Sequence, residues 1–209
     1  MYKYFLVLFV IFPAIVLKAQ ESSMSASEIA AFKEKVVLVA KTTQTIKADF
    51  VQYKHLNFLS NDVETSGNMA FKAPNLVKWE YTDPYQYSVI FKENELLIND
   101  GGTKSNVNIG SSKLFKKLNQ LIVNSVKGNM FADADFEVTY FKSPDFFKVI
   151  FKPKNSKIAR FIATFELLFD KEEMQVFEIK MIEPSADFTR IVFSNRVLNS
   201  AINNEVFNN

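Results

Sequence analysis

The strongest constraint on the fold is an alternation of apolar and polar residues that runs through most of this chain. Within residues 67–84 the apolar positions of the alternation are Met69, Phe71, Val77, Trp79 and Tyr81. A period of two residues is typical of strands that bury one face of a sheet. Similar short segments, rich in β-branched and aromatic residues, fill residues 45–100 and 135–194. The sequence therefore predicts a mainly β chain, built on an antiparallel sheet with one apolar face.

Two helices are predicted beside these strands. The first spans about residues 26–41, where Ser25 and Glu28 have the spacing of a capping box. The second spans about residues 112–127 and is expected to lie across the sheet, either as a lid or as an ordinary core helix. Its apolar stripe consists of Leu114, Phe115, Leu118, Leu121 and Ile122. Two helices are a small cover for a long sheet, so part of the apolar face could remain available for a ligand.

The alternation also predicts which side chains line the concave interior of a curved sheet. These are Phe50, Met69, Phe71, Trp79, Tyr81, Phe147, Val149, Phe161 and Phe165. A filled core rich in phenylalanine explains the same pattern, and periodicity alone does not separate it from a ligand cavity.

The first 20 residues have the pattern of a secretory signal peptide. Lys3 precedes a nearly continuous apolar run over residues 4–17, which ends just before Ala19 and Gln20. The run is short for a membrane span, and Ala19 is a suitable small residue for cleavage. We therefore expect cleavage near Ala19 or Gln20, export to the periplasm and one mature domain over residues 21–209. An uncleaved N-terminal anchor is the alternative.

Composition excludes several functions. Without Lys3 and Lys18, the 25 basic residues fall to 23, which equals the 23 acidic residues, so no surface for nucleic acid is expected. His55 is the only histidine and there is no cysteine, which excludes disulfides and the usual histidine or cysteine metal sites. The chain has no G-x-S-x-G motif to activate a serine. We expect no enzymatic activity, no cofactor and no metal.

A block of specific residues resembles the LolA family of periplasmic lipoprotein carriers. That family has the approximate pattern F-x-Q, then G-x-φ-x-φ-K-R-P-x-φ-φ-x-W-x-φ-x-x-P, where φ is apolar. The matching residues are Phe50, Gln52, Gly67, Phe71, Pro74, Trp79, Tyr81 and Pro84. The chain also ends like the family, with an N-x-x-I-x-x-x-x-F segment formed by Asn199, Ile202 and Phe207. The resemblance extends over residues 26–207.

The resemblance implies an incomplete antiparallel β-barrel, a half-barrel sheet covered by helices. Members of the family accept the acyl chains of lipoproteins from an inner-membrane ABC transporter and pass them to an outer-membrane receptor. This chain would then be a monomeric carrier of acylated lipoproteins, whose interior residues bind acyl chains at about 0.8 kcal/mol per buried methylene. Two other hypotheses remain open. One is a carrier of another envelope lipid or glycolipid, and the other is a sensor or scaffold that binds a lipid or protein without transporting it.

One position departs from the family pattern. Familiar members have an arginine immediately before the proline of the central block, where it holds a helical lid closed through hydrogen bonds. This chain has Ala73 at that position, next to Lys72. Alanine cannot replace the forked donors of arginine, and lysine is a poor substitute. The resemblance therefore leaves the control of a lid unexplained in this chain.

Overall fold

The computed structural model describes residues 21–92, 95–108 and 135–208. Within these residues, twelve strands pair into one sheet. They are β1 (Ser22–Ser23), β2 (Thr45–His55), β3 (Val63–Lys72), β4 (Leu76–Asp83), β5 (Tyr87–Lys92), β6 (Glu95–Asp100), β7 (Thr103–Asn108), β8 (Phe136–Lys142), β9 (Phe146–Pro153), β10 (Thr164–Asp170), β11 (Val176–Ile182) and β12 (Phe188–Leu198). The same residues contain helix α1 (Ala26–Thr42), a single-turn helix α2 (Ser156–Ala159) and a 3₁₀ helix (Asn204–Phe207).

Two predicted segments lie outside the described residues. One is the signal peptide over residues 1–20, and the other is the second helix with its stripe of Leu114, Phe115, Leu118, Leu121 and Ile122. Among the helices that are described, none is long and apolar enough to cross a membrane.

The sheet is antiparallel throughout, and its order is β1-β8-β9-β10-β11-β12-β2-β3-β4-β5-β6-β7. The pairing of β2 with β12 joins the two halves of the chain into one sheet, with β1 and β7 at its described edges. Residues of β5 and β6 face the same space as residues of β10 and β11, so the sheet curves around its apolar face. The predicted fold class, a mainly β chain with an incomplete antiparallel barrel, is confirmed.

Strand register aligns the apolar residues into rows on the concave face. Across β8 to β11, one row consists of Tyr140, Val149, Leu167 and Ile179. Across β3 to β6, another row consists of Phe71, Val77, Phe91 and Leu96. Because side chains alternate between faces, a slip of one residue would turn every apolar side chain of a strand outward. Burial of this face therefore selects the register that the sheet has.

Helix α1 covers part of the concave face. Phe32, Val36 and Ala40, each four residues apart, are its buried positions. The ring centroid of Phe32 lies 5.1 Å from that of Phe147 and 5.2 Å from that of Phe169. One stripe of the helix therefore packs on β9 and β10, in agreement with its helical spacing in the sequence.

The N-terminus of α1 has the predicted capping box. The backbone N–H of Ser25 donates to Glu28 Oε2 at 2.9 Å, and the backbone N–H of Glu28 donates to Ser25 Oγ at 3.4 Å. Glu28 also pairs with Lys142 of β8. This pairing and the bonds from Ser25 lower the pKa of Glu28 from 4.5 to about 2. The carboxylate therefore links the start of α1 to the sheet in its charged form.

We expect the stability of the domain to depend on pH through Glu28. Because the folded pKa lies below the unfolded value, this contribution is present above about pH 4.5 and is lost as the pH falls toward 2. Glu28→Gln should therefore flatten the stability profile in this interval. Urea unfolding at a series of pH values measures the effect, with Glu34→Gln at an exposed position of the same helix as the control. Identical profiles for the two variants would contradict the assignment.

The C-terminal segment packs on the opposite, convex face. Asn199 follows β12 in a left-handed conformation (φ 56°), and its backbone N–H donates to the oxygen of Thr45 at 2.9 Å. Ile202 and Phe207 then pack against Ile90 of β5, and their exposed fractions are 6% and 1%. The three residues that resemble the end of the family therefore anchor this segment to the back of the sheet.

Candidate functional site

An apolar cavity of about 420 Å³ lies on the concave face, between β4–β6 on one side and β10–β12 on the other. It is lined by Trp79, Tyr81, Tyr87, Val89, Phe91, Leu96, Ile98, Phe165, Ile179, Met181, Thr189 and Ile191. Nine of these twelve side chains have neither a hydroxyl group nor a charge. The volume lies in the range of about 300 to 1,000 Å³ that is usual for small organic ligands. This cavity is the candidate functional site.

Eight of the nine predicted interior residues belong to the concave core. Trp79, Tyr81 and Phe165 line the cavity itself. The remaining five, which pack in the surrounding apolar cluster, are Phe50, Met69, Phe71, Phe147 and Val149. Their part in binding a ligand stays a prediction.

The predicted interior position of Phe161 is wrong, because 55% of this residue is exposed. Residue 161 lies in the turn after α2, and strand alternation begins only at Thr164. The neighbouring Ile162 enters the core instead, with an exposed fraction of 2%. The side chain of Phe161 therefore points away from the concave interior.

Most of the cavity wall was not predicted from the sequence. The residues concerned are Tyr87, Val89, Phe91, Leu96, Ile98, Ile179, Met181, Thr189 and Ile191. Alternation within β5 and β6 could have placed Val89, Phe91 and Ile98 on the apolar face. No local pattern shows that β5 and β11 face each other, since this depends on the pairing of β2 with β12.

Trp79 and Tyr81 are held in place by Phe50. Each of their rings packs edge-on against the Phe50 ring, with centroid distances of 5.1 Å in both cases. Gly67 lies on β3, between Phe50 of β2 and Tyr81 of β4, and allows the strands to approach closely. A Cβ atom at residue 67 would lie only 1.9 Å from the backbone oxygen of Glu80. The glycine of the family pattern therefore lets β3 and β4 carry these two rings side by side.

Tyr81 brings a polar group to the cavity wall. Its hydroxyl donates to Gln52 Oε1 at 3.0 Å, and Gln52 Nε2 donates to Thr65 Oγ1 at 3.4 Å. Burial raises the pKa of Tyr81 to about 12, and the neighbouring Tyr85 and Tyr87 add to the shift. The hydroxyl therefore stays protonated, and uncharged, at neutral pH.

Lys72 does not take the place of the family arginine. Its Nζ donates to the backbone oxygen of Ile202 at 2.8 Å and to Asn204 Oδ1 at 2.6 Å, on the convex face. Ala73 packs against the concave core and has no polar side-chain group. Neither residue therefore supplies an arginine-like donor to the interior.

The site is built for burial of apolar groups. Among the described residues, no group of three or more His, Asp or Glu side chains is arranged to hold a metal ion. His55 ends β2, where its Nδ1 lies 2.8 Å from Asp62 Oδ1 and its ring stacks on Phe188 at 4.7 Å. The single histidine thus has a structural environment outside the cavity.

By its fold, the chain belongs to the class of proteins that form an open antiparallel half-barrel around an apolar cavity. The family described as "Outer membrane lipoprotein carrier protein LolA" matches residues 41–209. The chain is a member of the LolA family, which confirms the resemblance seen in its sequence. A comparison with curated proteins gave no match.

Solved structures share the fold at low sequence identity. An uncharacterized conserved protein from Thermus thermophilus is 9% identical, with a TM-score of 0.53, and the match covers 86% of this chain and 91% of that one. A chain of the Pseudomonas aeruginosa MucA/MucB complex is 8% identical, with a TM-score of 0.50 and coverages of 86% and 60%. A LolA superfamily protein from Nitrosomonas europaea is 8% identical, with a TM-score of 0.47 and coverages of 86% and 97%. At these identities the likeness shows the fold alone.

Proposed function

We propose that this chain is a periplasmic carrier that binds the acyl chains of lipoproteins in the half-barrel cavity and moves them from the inner to the outer membrane. The observation that carries the proposal is the lining of the cavity, in which nine of twelve side chains are apolar. Membership of the LolA family supports the same function.

Burial of hydrocarbon supplies the affinity for such a cargo. Each acyl methylene moved from water into the cavity contributes about 0.8 kcal/mol, so a long chain can be held without any charged contact. Release breaks no directional contact, because the hydrophobic interaction is non-directional and weakens as the chain leaves. A carrier needs both affinity for its cargo and the ability to release it.

The route of the cargo follows from the same proposal. The signal-peptide pattern in residues 1–20 supports export to the periplasm. An inner-membrane ABC transporter would load the cavity, and an outer-membrane receptor would empty it, as in other members of the family. The carrier itself would perform no catalysis.

Mass spectrometry of lipids that copurify with the protein from its native envelope tests the proposal. Acylated cysteine or intact lipoprotein is the expected cargo. If only phospholipid or glycolipid copurifies, the second hypothesis, a carrier of another envelope lipid, would replace this proposal. A protein partner without lipid would favour a sensor or scaffold, and the MucA/MucB complex is an example of this fold in complex with another protein.

A carboxylate placed in the cavity is expected to prevent cargo binding. Ile98→Asp puts a charge on the wall, where a bound acyl chain would strip it of water, and should weaken affinity by at least about tenfold. Asn99→Asp puts the same charge one residue further along β6, on the opposite face, and should change affinity by less than about twofold. The Asn99 Oδ1 atom accepts from the backbone N–H of Gly102 at 2.9 Å, and a carboxylate oxygen at this position can accept the same hydrogen bond.

Trp79 provides the measurement for this pair of variants. It is the only tryptophan and lines the cavity, so its emission should shift when a palmitoylated peptide displaces water. Urea unfolding confirms that both variants are folded. If folded Ile98→Asp binds the peptide as the parent does, the cavity is not the cargo site.

A further inference from the structure

A row of uncharged polar side chains borders one end of the otherwise apolar cavity. Gln52 lies directly opposite Thr65 in the sheet, and Tyr81 reaches Gln52 from β4. Tyr87 and Thr189 add two further hydroxyl groups to the cavity wall. The ring centroid of Tyr87 lies 6.1 Å from that of Tyr81, so the two rings border the same end of the cavity. The opposite part of the wall, around Phe91 and Leu96, is hydrocarbon.

The row has hydrogen-bonding capacity that the described residues leave unused. Gln52 has two amide N–H donors, and it uses one of them on Thr65 Oγ1. The hydroxyl groups of Tyr87 and Thr189 have no hydrogen-bond partner within the described part of the chain. Polar groups of this kind in an apolar wall are costly to bury without a partner, so a ligand that fills the cavity should offer them one.

The charged side chains near the row indicate which chemical groups of a ligand can bind there. Lys54, the nearest cation along β2, is paired with Glu183. Asp100 lies opposite Tyr87 in the sheet, and burial, followed by the charge of Asp100, raises the pKa of Tyr87. A phosphate group at this end would therefore meet a carboxylate, while the nearby cation is already paired. Neutral carbonyl and hydroxyl groups of a ligand therefore fit this end of the cavity better than a phosphate group does.

We propose that this row, formed by Gln52, Tyr81, Tyr87 and Thr189, binds the ester and amide carbonyls at which acyl chains join their headgroup. Gln52, Tyr87 and Thr189 donate the hydrogen bonds, while Tyr81, whose O–H is used on Gln52 Oε1, holds the Gln52 amide in place. The row then orients the ligand, with its hydrocarbon toward Phe91 and Leu96 and its headgroup toward Tyr81. The inference rests on the proposed function, because it assumes that the cavity binds acyl chains. It adds a preference for neutral acyl esters and amides over phosphorylated lipids.

Two ligands separate this subsite from simple burial of hydrocarbon. Monopalmitoylglycerol has an acyl ester and a neutral headgroup, whereas diphenylhexatriene is a fluorescent hydrocarbon without any polar atom. Tyr87→Phe and Gln52→Leu should each weaken binding of monopalmitoylglycerol by about fivefold, because each removes a donor that is available to the ester carbonyl. Both variants should bind diphenylhexatriene within about twofold of the parent. Monopalmitoyl phosphatidic acid should bind the parent more weakly than monopalmitoylglycerol.

Tyr53→Phe is the matched control for Tyr87→Phe. Tyr53 is the neighbour of Gln52 on β2 but lies on the convex face, where its ring packs against Arg190. Its hydroxyl should not affect either ligand. The infrared carbonyl band of bound monopalmitoylglycerol gives a second measurement, because loss of a hydrogen bond should move it to higher wavenumber in Tyr87→Phe but not in Tyr53→Phe.

The outcomes distinguish the two proposals. If the parent binds neither ligand, the acyl-binding function itself is wrong. If the parent binds both ligands and the cavity variants lose affinity for both equally, or for neither, only the polar subsite is wrong. Tighter binding of the phosphorylated lipid than of the neutral ester would also overturn the assignment of ligand class.

Discussion

Gly67→Ala is expected to lower the free energy of unfolding by about 3 kcal/mol, because the added methyl group meets backbone atoms that cannot rotate away. Its Cβ would lie 1.9 Å from the oxygen of Glu80 and 2.8 Å from the Cα of Tyr81. Relief of this clash requires β3 and β4 to separate. Separation would also move Tyr81 away from Phe50 and Gln52, so the variant should bind acyl ligands less well.

Urea unfolding of the purified variant measures the loss of stability. Gly101→Ala is the matched control, since residue 101 has a left-handed φ of 55° but open space around an added Cβ. It should lose only about 1 kcal/mol, from backbone strain. An equal loss of unfolding free energy in both variants would show that the close contact of β3 with β4 does not restrict the side chain at residue 67.

Phe207→Ala is expected to cost about 3 to 5 kcal/mol of stability while leaving the cavity intact. The Phe207 side chain is 1% exposed and packs with Ile202 and Ile90 on the convex face. Its removal leaves a hole under the C-terminal segment, which also depends on the hydrogen bonds from Lys72. The midpoint of thermal unfolding should therefore fall substantially.

The adjacent residue provides the control for this prediction. Val206 is 38% exposed, and Val206→Ala should change the free energy of unfolding by less than about 0.5 kcal/mol. Below the unfolding transition, Phe207→Ala should bind a palmitoylated peptide with the affinity of the parent. A large change in affinity with an unchanged unfolding midpoint would reverse the roles that we assign to the two faces.

Elements with a local signal could be predicted from the sequence. The capping box at Ser25 and Glu28 placed the start of α1 correctly, because its hydrogen bonds involve residues only three apart. Alternation placed Met69, Phe71 and Trp79 on one buried face, since the side-chain period of a strand is independent of its neighbours.

Predictions failed where the local pattern ended or where the answer depended on distant residues. Alternation predicts an interior position for Phe161, but α2 and the turn after it occupy the chain until Thr164, where the strand begins. The side chain of Lys72 could not be assigned to the C-terminal segment, because its partner Ile202 is 130 residues away.

The sequence by itself determined that this chain forms an antiparallel sheet with one apolar face, and its motif residues identified the family. Only the tertiary structure decided how that face is divided between a core under α1 and a cavity between β4–β6 and β10–β12. The physical reason is that alternation specifies which side of a strand is apolar, whereas strand pairing over long sequence distances specifies what that side meets. The pairing of β2 with β12 therefore positions Trp79 and Phe165 on one cavity, and it places Gln52, Tyr81 and Thr189 at one end of it.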